Sequence, residues 1–457
     1  MGNPDSKLIA ILGGGLTGLA AAFRLTTLGH RVRLFERSSR VGGVVRSELS
    51  DGWLVEAGPN SFQESSPEIT ALLHELGLDA ERITTSPQSK NRYVVRRGRL
   101  AAVPMSPSAF LSSPLLSLGA KLRVLGELLT QRRARTTDLS LAAFARAHFG
   151  PQVVDYVVQP FASGVYAGDA QKLSTRYAFP KLWELEQTHG SLLRGQIAAA
   201  KRRRAAGLPA TPPLISFRRG LQALPDALAA RLPAGSFQLN ARVDGLVPGD
   251  RWQILWHDGQ RVQTEAFDAV VSTLPAPALA QLTIGPLGEK PLISLDAIAH
   301  PPVASLFLGF RREQVAHALD GFGALVPAVE RRSVLGVIFS SSLFPDRAPP
   351  GHVALTVMIG GALRPDLALL PAEKLWAAVR GDLQDLLGVT GEPVFSRSTL
   401  WPGAIPQYQL GHERHFEAMV ACEREHPGLF IGGNMRDGIA LPACLLGGLK
   451  LAARASA

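Results

Sequence analysis

Residues 8–12 read Leu-Ile-Ala-Ile-Leu, an apolar run of strand length. Glycines follow, then an Ala/Leu-rich stretch with three-to-four-residue apolar spacing to about residue 28. A second short run, 31–35, alternates polar and apolar before Glu36. Strand, glycine turn, helix and strand follow one another within the first forty residues. Further on, 66–78 has helical spacing, with Ser66 placed to cap it, Pro67 at its first position and Gly77 near its end. Residues 91–100 alternate around Arg97-Gly98 as a hairpin, and its arginines 96, 97 and 99 are expected at a solvated rim. From 107 to about 204 the period is helical. Three alternating runs at 239–246, 252–257 and 261–265 predict antiparallel strands, and 267–275 a buried one. A second alternating set occupies 303–310, 322–327, 334–340 and 352–359, before a helix over 371–387. A strand at 429–434 and a glycine-bounded helix return the chain to its first sheet. Residues 207–213 have the composition of a linker.

The glycines change the picture from structure to chemistry. Gly13, Gly15 and Gly18 have the G-x-G-x-x-G spacing, with Gly14, Leu16 and Thr17 between them. Gly13 permits the tight turn, Gly15 admits a pyrophosphate close to backbone amides, and Gly18 lets helix and strand pack closely. The helix start supplies unpaired N–H groups and the positive end of a dipole. Glu36 stands where an acid binds ribose hydroxyls and disfavours a 2′-phosphate, so NADP is not expected. Gly42-Gly43, just beyond, would let the chain approach the far half of a long dinucleotide. Taken alone it reads as an ordinary turn.

Composition narrows the class further. At 457 residues and 46% hydrophobic, the chain is long enough for two or three domains and too apolar to be disordered. A net charge of +10 favours anionic partners, of which nucleic acid, anionic lipid and a carboxylate substrate are equally served by charge alone. Cys422 and Cys444 have no metal-ligand spacing and suggest neither a disulfide framework nor a zinc site, so a reducing compartment is expected. With a nucleotide-type strand starting almost at once, no secretory signal is expected, and the match of Met1-Gly2-Asn3-Pro4-Asp5-Ser6 to a myristoylation pattern is of a kind common by chance. The longest uncharged stretch, 100–120, holds Pro104, Pro107 and Pro114 and is not expected to span a membrane. Its apolar part, 110–116, lies near Lys121, Arg123, Arg132, Arg133 and Arg135. That combination suits docking on an anionic bilayer, or equally a helical subdomain burying its own core.

The motifs together resemble the FAD-dependent protoporphyrinogen oxidase family, within the flavin amine oxidase and phytoene desaturase group. The segments carrying the resemblance, in order, are 13–18 with Glu36, 40–43, Gly58-Pro59-Asn60-Ser61-Phe62, Asn91-Arg92-Tyr93, 163–169, 321–327, 401–408 and 433–439. The resemblance implies an α/β fold of mixed α+β character. A Rossmann-like FAD-binding domain (1–85, 212–288, 395–457) would carry an inserted antiparallel-sheet substrate domain (86–105, 289–394). A helical subdomain (106–211) would be the candidate for membrane contact. It implies FAD as cofactor, held by the glycine turn, Glu36, Arg37, Gly42, Gly43, Val44, Ser61, Thr273 and Gly433, with Val243 at the adenine end through its backbone. Gly58, Pro59, Asn60 and Trp401 would line the flavin, and Ile439, Ala440 and Leu441 would meet it at a helix start, whose dipole stabilises a reduced flavin.

For the substrate, the resemblance implies a porphyrinogen, with Arg92 pairing with a propionate, Phe322, Leu325 and Ile338 clamping the pyrrole rings, and Gly164 close to the macrocycle. Without it, Phe322 and Leu325 read as core residues. The flavin would carry the redox step, with no catalytic side chain singled out and each histidine read as surface or core. Oxygen or a respiratory carrier would reoxidise it. No nucleic acid or metal is expected, a homodimer is left open, and the location is cytoplasmic or on the inner face of the cytoplasmic membrane. Pro442, in Leu441-Pro442-Ala443-Cys444, departs from the family pattern. It either weakens flavin contacts or simply opens a helix. The rivals are coproporphyrinogen oxidation, amine oxidation, against which Phe430-Ile431-Gly432-Gly433-Asn434 counts, and a flavoprotein without turnover.

Overall fold

The computed structural model describes residues 6–130, 134–207 and 212–457. Arg132 and Arg133, most of the expected linker and the first five residues of the myristoylation-like start lie outside them. A five-stranded parallel sheet runs in the order Phe237–Gln238, Arg31–Phe35, Leu8–Leu12, Ala269–Ser272, Leu429–Ile431. Its central strand serves two cores by simple alternation. Ile9 and Ile11 face helices Leu16–Thr27 and Leu441–Ser456, whereas Ala10 and Leu12 face the Trp252–His257 side. On that second side lies a sheet ordered Val262–Phe267, Trp252–His257, Arg242–Val247, Thr283–Ile284. The two helices pack so closely that a methyl group at Gly448 would collide with the Thr17 carbonyl. Pro442 sits in the first turn of its helix, where a missing N–H breaks no helical bond.

The seven-stranded sheet is ordered Phe395–Trp401, Val303–Arg311, His352–Gly360, Val334–Ile338, Gly321–Leu325, Asn91–Arg96, Arg99–Ala102. Helix Ala372–Leu387 covers one of its faces. Residues 395–401, expected on the nucleotide side, instead form its edge strand, paired from Gly309↔Phe395 to Val303↔Trp401. Periodicity within 395–401 could not reveal which sheet would accept it. The hairpin forms at Arg97-Gly98, both with positive φ (51° and 73°), as a two-residue turn requires. Arg96 departs from the expected solvated rim. It is half-buried, and its guanidinium lies 4.8 Å over the Tyr156 ring.

Between 107 and 207 the described chain is a helical layer. A buried polar cluster ties its helices together. His148 Nδ1 lies 2.9 Å from Glu127 Oε1 and its Nε2 lies 3.0 Å from Glu186 Oε1, with all three side chains fully enclosed. Arg135 Nε donates to Glu186 at 2.9 Å, and Glu127 accepts from Ser191 Oγ and the Leu192 and Leu193 amides. Arg135 is therefore engaged rather than free for a bilayer. Lys121 is buried too, donating to the Leu111 carbonyl at 2.6 Å. Leu115 and Leu116, expected in the exposed apolar patch, are buried, Leu115 against Val94 and Ala101 of the hairpin.

Candidate active site

The glycine turn shapes the first half of the site with backbone. Gly13 takes φ 102° and donates to the Phe35 carbonyl at 2.9 Å. A methyl group at Gly18 would strike the Gly13 carbonyl, so helix and turn can touch only because neither carries a side chain there. Gly15 precedes helix Leu16–Thr27 with no side-chain cap, and a Cβ on it would meet nothing within 4 Å. An open space in front of uncapped amides is the cradle a pyrophosphate needs. Glu36 ends the second strand with Oε2 accepting from Gly14 N–H and Oε1 from Ser38 N–H and Oγ, each at 2.8 Å. Leu16 and Thr17 are buried, and Arg37 is exposed beside Glu36. Val243 lies on the strand led in by Ala241, whose N–H donates to the Glu36 carbonyl at 2.9 Å.

The next segments pack against the same turn. Gly42 N–H donates to the Gly14 carbonyl at 2.8 Å, and Gly43 faces Gly15. Val44 presents its carbonyl to Gly58, where a side chain would collide with it. The Trp401 indole N–H donates to the Ala57 carbonyl at 2.9 Å, and Asn60 Nδ2 donates to the Gly58 carbonyl at 3.1 Å. Pro59 and Ser61 flank them, half-buried. Along the other wall, Thr273 Oγ1 donates to the Leu12 carbonyl, and Gly433 lies against the Thr273 carbonyl. Ile439, Ala440 and Leu441 then lead into the last helix, with Ala440 immediately before it and without a side-chain cap.

The second half is built from side chains. Strand Gly321–Leu325 shifts register between Gly321 and Ala324 against Asn91–Arg96, with Gly323 at φ 152°. The irregularity changes the parity of the strand, so Phe322 and Leu325 both reach the Ile338 side. Phe322 and Ile338 pack on Ile83, Leu343 and Phe344. Leu325 pairs with Gly336 and would sit 2.8 Å from a Cβ on Gly164. The exposed Arg92 guanidinium lies 5.9 Å from the Phe322 ring centroid, and among the described residues no carboxylate pairs with it. A small cavity, with room for about one water, lies between Asn60 of the first half and Ile338 of the second, lined also by Leu54, Glu56, Phe344 and Arg347, among others.

Several organising residues were given no role of their own from the sequence. The Arg40 guanidinium donates to the Val41, Gly43 and Val45 carbonyls and so holds the diglycine turn. Tyr408 OH donates to the Asn434 carbonyl at 2.7 Å and accepts from Gly438 N–H at 3.1 Å, fixing the segment before the last helix. Its ring stacks on His412 at 4.2 Å, and burial pushes the His412 imidazole down to about 4. Glu56 is the third, an acid ending the otherwise apolar strand Trp53–Glu56. That acid at the end of an apolar run was a readable signal.

A groove of backbone amides beside an apolar slot defines a class of nucleotide-dependent oxidoreductase, and comparison with known proteins gives its family. The model of the flavin containing amine oxidoreductases matches residues 16–456, and the chain belongs to that family. Its relatives include protoporphyrinogen oxidase 2 of Arabidopsis thaliana, 34% identical, with 98% of this chain and 93% of that protein covered. Coproporphyrinogen III oxidase of Bacillus subtilis is 29% identical over 96% of each. A solved structure from Exiguobacterium sp. 255-15, provisionally described as a protoporphyrinogen oxidase, superposes with a TM-score of 0.83 at 24% identity, 99% of each chain being covered. The protein is thus an FAD-dependent oxidoreductase of the protoporphyrinogen and coproporphyrinogen oxidase type. FAD fits what the groove offers: uncapped amides for the pyrophosphate, an acid for ribose and a long glycine-lined path for the rest. Bound there, it supplies the two-electron acceptor.

Proposed function

We propose that this chain oxidises protoporphyrinogen IX to protoporphyrin IX in three two-electron steps, with oxygen or a respiratory carrier as final acceptor. The observation that carries the reading is the unpaired guanidinium of Arg92, laid over Phe322 at the edge of the apolar face of Leu325, Ile338 and Gly164. A greasy macrocycle bearing carboxylates matches both features. Its propionate would gain a charge-assisted bond of about 1.5–3 kcal/mol at Arg92. The rest of the slot would orient the ring carbons and exclude water. Anaerobic addition of protoporphyrinogen and of coproporphyrinogen, side by side, tests the reading. Flavin bleaching with porphyrin fluorescence is expected with the first substrate faster than the second. A flavin that neither reduces overturns it. Coproporphyrinogen is the second reading, favoured by the Bacillus relative and by a Staphylococcus aureus coproporphyrinogen III oxidase, 27% identical over 98% of each.

The same reading includes a cytoplasmic protein resting on the inner face of the membrane. No helix among the described residues is long and apolar enough to cross one. Leu118, Leu122, Leu125 and Leu129 are 74%, 60%, 42% and 88% exposed, and their spacing sets them along one helical face. With Lys121 and Arg135 already partnered, apolar insertion rather than basic attraction would dominate. Replacing Leu122 and Leu129 by Asp is expected to abolish co-sedimentation with vesicles while leaving bound flavin unchanged. Unaltered sedimentation would refute the membrane contact.

A further inference from the structure

The porphyrinogen reading leaves one chemical demand unmet. Each two-electron oxidation breaks a C–H bond, whose electron pair leaves as hydride to the flavin, and also releases a proton from the ring system as the new double bond forms. Three such steps release three protons inside a slot built to exclude water. Arg92 is a cation, and the clamping residues are hydrocarbon.

Glu56 has the placement this proton requires. It ends strand Trp53–Glu56, four residues before Asn60, and its side chain is 3% exposed. It forms one wall of the cavity that Asn60 and Ile338 also line, from the flavin side and the ring-clamping side respectively. The cavity's remaining walls, Leu54, Phe307, Ser340, Leu343 and Phe344, carry no acid or base apart from Arg347. Two neutral donors fix the carboxyl: Ser47 Oγ at 2.6 Å, from the paired strand, and Leu221 N–H at 2.9 Å, from the turn that opens the next helix. Arg347 is the charged group facing it. That guanidinium, itself buried, is committed to Ser216 Oγ and the Phe217 carbonyl, and no ion pair within 4 Å joins it to Glu56. The carboxyl can therefore gain and lose a proton without breaking a salt bridge. We propose that Glu56 accepts, through this cavity, the proton released at each oxidation of the porphyrinogen and yields it to water before the next. The assignment rests on the reading given under Proposed function. Burial also pushes the Glu56 carboxyl up to about 7, against the opposing pull of Ser47, the Leu221 amide and Arg347, which suits a base working near neutrality.

Glu56→Gln and Ser47→Ala test the assignment in the FAD-loaded protein. Glutamine can keep the loop intact, accepting from Leu221 N–H and donating to Ser47 Oγ, which already accepts from Gln222 N–H at 3.0 Å. Flavin reduction by protoporphyrinogen, followed anaerobically across pH, is expected to be about a hundredfold slower in Glu56→Gln and to lose its inflection near neutrality. Bound FAD and KM are expected to stay unchanged. Ser47→Ala removes a bond that favours the charged form, so it should move the inflection to higher pH without erasing it. Infrared titration of the substrate-free protein supplies a readout independent of turnover: a protonated-carboxyl band that disappears near neutral pH in the parent and is missing from Glu56→Gln. A parent-like rate and pH profile in Glu56→Gln, or the absence of that band in the parent, overturns the assignment. A parent flavin that no porphyrinogen reduces overturns the functional reading first, and the two failures are thereby told apart.

Discussion

The nucleotide groove and the ring slot solve the problem of recognition with opposite materials. The groove is made of main chain: Gly13, Gly15, Gly18, Gly42, Gly43 and Gly58 are places where a side chain is excluded or kept out of the way. The slot is made of side chains, with Arg92 from an early strand meeting Phe322, Leu325 and Ile338 from two successive strands much later in the chain. A surface of amides is rigid and fixed by spacing, and it suits a cofactor that stays. A surface of side chains can be retuned residue by residue, as suits a substrate that leaves. The shared fold agrees: wild-type putrescine oxidase superposes with a TM-score of 0.68 at 17% identity, so the scaffold does not by itself select what lies in the slot.

The sharpest way to break the contrast is to put a side chain into the groove. Gly18→Ala forces a methyl group into the Gly13 carbonyl, and the Thr273 hydroxyl leaves no space on its other side. Purified protein is expected to lose nearly all its flavin absorbance while keeping its helical circular dichroism. A yellow Gly18→Ala protein would show that the turn can relax. The seam between the regions should respond next, to pH. Glu56 binds its proton up to about pH 7 when folded but only to about 4.5 when unfolded. The resulting stability is complete below 4.5 and is lost as pH rises through 7, a change on the order of 3 kcal/mol. Glu56→Gln should flatten this part of the curve of melting temperature against pH. A parent curve already flat between those values would mean the carboxyl ionises freely. The smallest change expected is in the slot. Arg92→Ala should raise KM for the tetrapyrrole roughly ten- to a hundredfold, the equivalent of about 1.5–3 kcal/mol, with FAD content unchanged. Equal loss of both would make Arg92 structural and blur the division.

The same division explains what could be read in advance. The strand–turn–helix–strand start, the glycine turn and Glu36 were legible because their function depends on local spacing, and the structure places them as expected. The hairpin at Arg97-Gly98 and the strands at 303–311 and 352–360 were legible from alternation. What could not be read depended on partners. Nothing in 395–401 announces that its edge will pair with 303–309, and nothing near Lys121 announces the Leu111 carbonyl. Phe322 and Leu325 lie three apart, a spacing that puts residues on opposite faces of a regular strand. Only the irregularity at Gly323, invisible in composition, brings them to the same side.

The order of strands in the parallel sheet bears on when the glycine turn gains its shelter. Leu8–Leu12 has Ala269–Ser272 as its neighbour, and beyond that Leu429–Ile431; the helix that closes over Thr17 begins only at Leu441. A chain still emerging from the ribosome therefore holds its first sixty residues, glycine turn included, without the pieces that complete their shelter. The shelter around the glycine turn is therefore complete only once residues 429–456 are available to pack, and until then the apolar faces of the early strands and helix lack their cover.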